Sequence, residues 1–181
     1  MALTPSNMIA LGSKAAPFNL PDPKTGQQVD LNELSPEKGL LVMFICNHCP
    51  FVKHIESELI QLGQDYQHSG IQIIAISSND ATAHPADGPA EMALKNYPFP
   101  YLYDETQAIA KAYDAACTPD FFLFDADLKL VYRGQFDDAR PSNGQPVTGA
   151  DLRAAMDRLL TGGEPLSDQK PSIGCNIKWR P

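Results

Sequence analysis

The sequence has no apolar run long enough to cross a bilayer, which takes about 20 consecutive apolar residues. Its start, MALTPSNMIALGSKAAPF, lacks the basic leader and sustained apolar stretch of a signal peptide. Positive charge is scarce: 14 Lys and Arg stand against 22 Asp and Glu, for a net charge of −8, which argues against a nucleic-acid surface. The only basic clustering, IKWRP at the end, reads as a solvated tail. Cysteine is also sparse, with four in 181 residues at positions 46, 49, 117 and 175, too few and too unevenly spaced for the framework of a small secreted domain. These absences predict a cytoplasmic protein free of membrane and nucleic acid, whose thiols stay reduced unless something turns them over.

What is present suits one globular domain with a sizeable core: 43% of the residues are hydrophobic and 20% charged. Residues 1–162 read as this single domain, with a loose N-terminal arm over residues 1–16. Past Gly162 and Gly163 periodicity is lost, so 163–181 reads as a C-terminal tail. FNLPDPKTGQQVDLNEL predicts a small hairpin, because Pro21, Asp22, Pro23 and Gly26 supply turn chemistry. GLLVMFI is apolar throughout, as expected of a strand covered on both faces, and GIQIIAIS reads as a second buried strand. Between them Val52, Ile55, Leu59 and Leu62 fall at helical spacing behind Pro50, which suits a first helical turn. Downstream come a short helix at AEMALKNY, a short strand at YLY and a helix at TQAIAKAYD. FFLFDADLKLVYRGQ then reads as two strands joined by an Asp-rich turn, and DLRAAMDRLL as a closing helix begun by Thr148 or Asp151. The order predicts an α/β fold with a mixed central sheet flanked by helices and preceded by the hairpin.

Chemistry concentrates where GLLVMFI breaks off at Cys46-Asn47-His48-Cys49 and the helix begins. Cysteines spaced CxxC at a strand-to-helix junction lie beside unpaired helix amides and the positive end of the helix dipole, which favour a thiolate. This predicts Cys46 as an exposed, low-pKa nucleophile and Cys49 as a more buried thiol that closes the Cys46–Cys49 disulfide. His48 is expected to tune the pair and to move protons. A second cue is ACTPDFFLF, where Thr118 and Pro119 open an apolar strand. A cis bond at Pro119 would turn the chain and present a backbone edge to substrate.

With these motifs in view, the sequence resembles the thioredoxin superfamily, in its peroxiredoxin-like redoxin (AhpC/TSA-type) branch, over about residues 14–162. The similarity is carried by APFNLPDPKTGQQVDLNEL, LLVMFICNHCPFV and CTPDFFLFDADLKLVYRG. It implies a thioredoxin fold, thiol–disulfide exchange at Cys46 and Cys49, and a cis Pro119 facing them. Expected partners are protein or small-molecule disulfides and thiols, an unidentified thiol reductant, and no cofactor. The alternative is a thiol peroxidase that reduces peroxides. Here the sequence departs from the peroxiredoxin pattern: aligned on Cys49, the usual Thr or Ser and Pro positions hold Cys46 and Val42, and no arginine lies around residues 117–120. It departs from thioredoxin as well, since LLVMFI carries no buried acid.

A metal-binding or redox-sensing module is a third reading, built from Cys46, Cys49, His48 or His54, and Cys117. The chain has no second CxxC to complete such a set, and no metal is expected. Cys117 is an auxiliary thiol or a packed small residue, and Cys175 is either a resolving thiol or an inert one. His54 reads as an exposed helix residue, and His68 and His84 as surface or loop positions.

Overall fold

A computed structural model describes residues 3–181. Its strands are β1 (Leu3–Pro5), β2 (Asn19–Pro21), β3 (Gln28–Asp30), β4 (Gly39–Phe44), β5 (Ile71–Ser77), β6 (Tyr101–Tyr103), β7 (Cys117–Thr118), β8 (Asp120–Asp125), β9 (Leu130–Gly134) and β10 (Ile173–Asn176). The helices are α1 (Pro50–Asp65), α2 (Pro89–Met92), α3 (Ala108–Ala112) and α4 (Ala150–Leu160). A five-stranded sheet in the order β6-β5-β4-β8-β9 forms the centre. β4, β5 and β6 run parallel, while β8 is antiparallel to both β4 and β9. This is the mixed α/β sheet that the sequence predicts, and β2 and β3 form the predicted hairpin.

The apolar runs divide their side chains by the two-residue period of a strand. From β4 and its extension, Leu41, Met43 and Ile45 enter one core, and Leu40, Val42 and Phe44 enter the other. β8 does the same, with Phe121 and Leu123 on one side and Phe122 and Phe124 on the other. The first core is closed by Val52, Ile55, Leu59 and Leu62 of α1 and by Leu152, Ala155 and Met156 of α4. The second is closed by Phe18, Leu20 and Leu31 around the hairpin and by Ala110 and Tyr113 around α3. Each fully buried aliphatic side chain contributes about 1.5–3 kcal/mol, so the position of β4, and of the motif at its end, is strongly determined.

Two helices differ from their predicted extents. The segment from Ala90 to Tyr97 holds only the last part of a single helical turn, Pro89–Met92. For α4 neither Thr148 nor Asp151 supplies the cap. Gly149 occupies the N-cap in left-handed conformation (φ 67°), and the Asp137 carboxylate accepts from the amides of Thr148 and Gly149, each at 2.7 Å.

The largest difference lies at the ends of the chain. The expected loose arm and tail both carry strands, in a second sheet ordered β1-β10-β7. Leu3 pairs with Cys175, Cys175 in turn with Thr118, and Asn176 with Cys117. Beyond β10 the Lys178 amide donates to Asn79 Oδ1 at 2.8 Å and the Arg180 amide to Gln107 Oε1 at 2.8 Å. These positions lack the long apolar alternation that marks a strand in sequence, because so short a strand is held by its neighbours rather than by its own pattern. Among the described residues no helix is long and apolar enough to cross a membrane.

Candidate active site

The end of β4 and the start of α1 bring Cys46 and Cys49 together, and β7 lies against both. Cys49 is the N-cap residue of α1, with Pro50 at the first helical position. Thr118 approaches from the other side, and the Thr118–Pro119 peptide is cis, as expected. The Thr118 hydroxyl is 3.5 Å from Cys46 Sγ, and the Cys49 thiol lies 3.2 Å from the Thr118 carbonyl oxygen.

The expected exposure of Cys46 is corrected by the structure: Cys46 is 1% exposed and Cys49 0%. The charge distribution within the pair differs from expectation too. Cys46 hydrogen-bonds to Cys49, and with burial and the nearby Asp87 carboxylate this pushes the Cys46 thiol far up. Cys49 is held down to about 4, mainly by the same bond from Cys46 and further by Cys175, Thr118 and the Val52 amide of α1, against the opposing effect of burial. The Val52 amide of the helix terminus acts on Cys49, the residue that caps α1.

His48 is half-buried, with Nδ1 4.0 Å from Cys46 Sγ. Its stronger partner is Asp87, whose Oδ2 meets the same nitrogen, and this carboxylate assigns the proton to Nδ1. Asp87 is fully buried and organises the motif loop. Its Oδ1 accepts from the amides of Asn47 (2.8 Å) and His48 (3.0 Å), and its Oδ2 also accepts from Asn79 Nδ2 (2.8 Å). Tyr101 donates to Asn47 Oδ1 at 3.1 Å, and His84 stacks on His48 with ring centroids 4.9 Å apart. Asp87 and His84 escaped the sequence reading because HPADGP looks like an ordinary surface turn, with nothing local to tie it to a motif forty residues earlier. Cys46, His48 and Asp87 offer ligand atoms within 4.8 Å of one another, but both Asp87 oxygens are already engaged by donors of the loop.

Thr118 and Pro119 are at the site, but the strand edge expected to receive substrate is paired with β10. This brings Cys175, which is 1% exposed, to 3.0 Å between its Sγ and that of Cys49. Ordinary thiol behaviour would place Cys175 near 9.0, and burial followed by its bond to Cys49 raises it to about 12. Cys117 is fully buried, donates within its own loop to the Pro119 carbonyl at 3.6 Å, and is pushed up by burial and Asp120. His54 lies half-buried on α1, and the Glu58 carboxylate one turn on pairs with Arg153 at 2.7 Å. Among the described residues no disulfide joins the four cysteines.

A CxxC at a strand-to-helix junction, beside a cis Thr118–Pro119 peptide, defines a thioredoxin-like redoxin. The chain belongs to the AhpC/TSA family, whose pattern matches residues 11–133. It is similar to a conserved protein of uncharacterised function from Geobacillus kaustophilus, at 54% identity and a TM-score of 0.94, over 100% of this chain and 98% of that one. The thioredoxin domain of a thiol-disulfide oxidoreductase from Bacteroides vulgatus shares the fold at 17% identity and TM-score 0.58, over 81% of this chain and 97% of that one. So does Mycobacterium bovis AhpC, at 17% identity and TM-score 0.62, over 91% and 99%. No curated protein matches the chain.

Proposed function

We propose that this redoxin is a thiol–disulfide oxidoreductase acting through Cys46 and Cys49. The observation that carries the reading is the placement of both motif sulfurs against Thr118, whose hydroxyl is 3.5 Å from Cys46 Sγ and whose carbonyl oxygen is 3.2 Å from Cys49 Sγ. Cys46 attacks one sulfur of a substrate disulfide while its proton passes to Cys49, giving a Cys46–substrate mixed disulfide and a released thiolate. Cys49 then attacks Cys46 Sγ, the bond between Cys46 and the substrate breaks, and the proton from Cys49 goes to one of the two substrate sulfurs, leaving one thiol and one thiolate. The substrate disulfide has gained two electrons and the protein holds Cys46–Cys49. A thiol reductant reverses these steps.

Thr118 serves by placing its hydroxyl beside Cys46, with Pro119 fixing the loop, and His48 and Asp87 hold the motif in shape. Substrates are protein or small-molecule disulfides and thiols, and the reducing cytoplasm suits such a cycle.

Reduction of peroxides is the second reading, favoured by the downward shift of the Cys49 thiol and by the family. Stopped-flow loss of free thiols separates the two, comparing hydrogen peroxide with a small disulfide in wild type, Cys46→Ser and Cys49→Ser. Rapid exchange with the disulfide, abolished in Cys46→Ser, is the expected result. Fast loss to peroxide that survives Cys46→Ser would transfer the reaction to Cys49 and a peroxidase.

A further inference from the structure

We propose that Cys175 is a third redox thiol of this centre, which takes Cys49 from Cys46 to form a Cys49–Cys175 disulfide. The inference rests on the reading of Cys46 and Cys49 as the redox pair. Its first support is distance: the two sulfurs stand at 3.0 Å, so closing to the ~2.05 Å of a disulfide needs a shift of about 1 Å. The second support is the placement of Cys175 on a fixed strand. β10 lies between β1 and β7, the Ser172 hydroxyl donates to the Pro119 carbonyl at 2.6 Å, and the Ile177 amide donates to the Ala116 carbonyl at 3.1 Å. Gly174 permits this approach, because a Cβ there would overlap the Thr118 carbonyl oxygen.

The register adds a third argument. Cys175 pairs with Thr118, whose carbonyl oxygen is itself 3.2 Å from Cys49 Sγ. The strand edge that would receive an incoming chain is thus filled by the protein's own β10, which places Cys175 against Cys49.

The step is thiol–disulfide exchange and involves no net oxidation. Cys175 Sγ attacks Cys49 Sγ of the Cys46–Cys49 disulfide, the Sγ46–Sγ49 bond breaks, and its electron pair leaves on Cys46. The proton lost by Cys175 ends on Cys46, beside the Thr118 hydroxyl. The oxidising equivalent then lies between two sulfurs that are 0% and 1% exposed, and Cys46 is again a thiol.

Non-reducing peptide mapping tests this on the full chain. Cleavage after Lys38 and Lys53 leaves Cys46 and Cys49 on one tryptic peptide, while Cys175 falls on another ending at Lys178. The reduced protein is treated with diamide, which removes two electrons and two protons, then quenched in acid and alkylated. A cross-link between the two peptides is expected in wild type and in Cys46→Ser, with the three thiols of Cys46→Ser falling to one. Cys175→Ser should lose the cross-link and retain the Cys46–Cys49 disulfide inside one peptide. If Cys46→Ser keeps all three thiols while wild type closes Cys46–Cys49, the inference fails and the proposed function stands. If Cys175→Ser cannot close Cys46–Cys49, the proposed function itself falls.

Discussion

Cys46 and Cys49 lie three residues apart, yet the two flanks that hold them are built from different materials. On one flank Asp87, contributed by the turn before α2, gathers two backbone amides, Asn79 and His48 in a fully hydrogen-bonded polar cluster. On the other, Thr118 and β10 surround Cys49 with a backbone carbonyl and a second sulfur. The polar flank fixes the shape of the motif loop, since buried donors sharing one acceptor have no alternative partner. The sulfur flank is a place where covalent bonds can be exchanged.

Three changes probe this division. Asp87→Ala should have the largest effect, because it leaves two amides, Asn79 and His48 without their acceptor. A loss of about 3–5 kcal/mol in denaturant unfolding is expected, as for removal of one member of a buried charged network. A loss below about 1 kcal/mol would show that the polar flank does not hold the loop.

Gly174→Ala strikes the sulfur flank, where the added methyl would overlap the Thr118 carbonyl. Overpacking of this kind costs about 1–3 kcal/mol. Displacement of β10 should also make Cys175 alkylate faster in the reduced protein, while the loop around Asp87 keeps its protection against hydrogen exchange. Loss of protection at both flanks would erase the distinction between them.

The smallest expected effect is that of Cys175 on the Cys49 proton. Its folded-state pKa is depressed from 9.0 to about 4, so its contribution to the stability of the reduced protein is full above the unfolded value and is lost as pH falls through about 4. Cys46 is displaced in the opposite direction, so above its ordinary value of 9.0 stability should decline again as pH rises. Cys175→Ala removes one of the groups that hold Cys49 down. The thiolate absorbance of Cys49 should then titrate about one pH unit higher, ~1.4 kcal/mol, the size of a hydrogen bond to a charged group. An unmoved titration would mean that Cys175 does not stabilise the anion.

The sequence by itself determined the sheet and the place of the motif. The largely apolar runs at Gly39–Phe44 and Ile71–Ser77 read as strands covered on both faces, and Pro50 with Val52, Ile55, Leu59 and Leu62 as the start of a helix with one buried side. Those patterns are local, because side-chain period and backbone preference act over a few residues. They also identify Cys46, Cys49, Thr118 and Pro119, whose spacing and neighbours are visible in the chain. Only the tertiary structure decided that the Cys49 thiol is pulled down, since this depends first on the bond from Cys46 and then on groups that arrive from Cys175, Thr118 and the α1 terminus. It alone decided that Asp87 supports the motif loop and that the two ends of the chain form one sheet over Thr118. Contacts across forty to more than a hundred residues leave no period in the sequence, because they come from where the packed elements put the chain and not from any preference of the residues themselves.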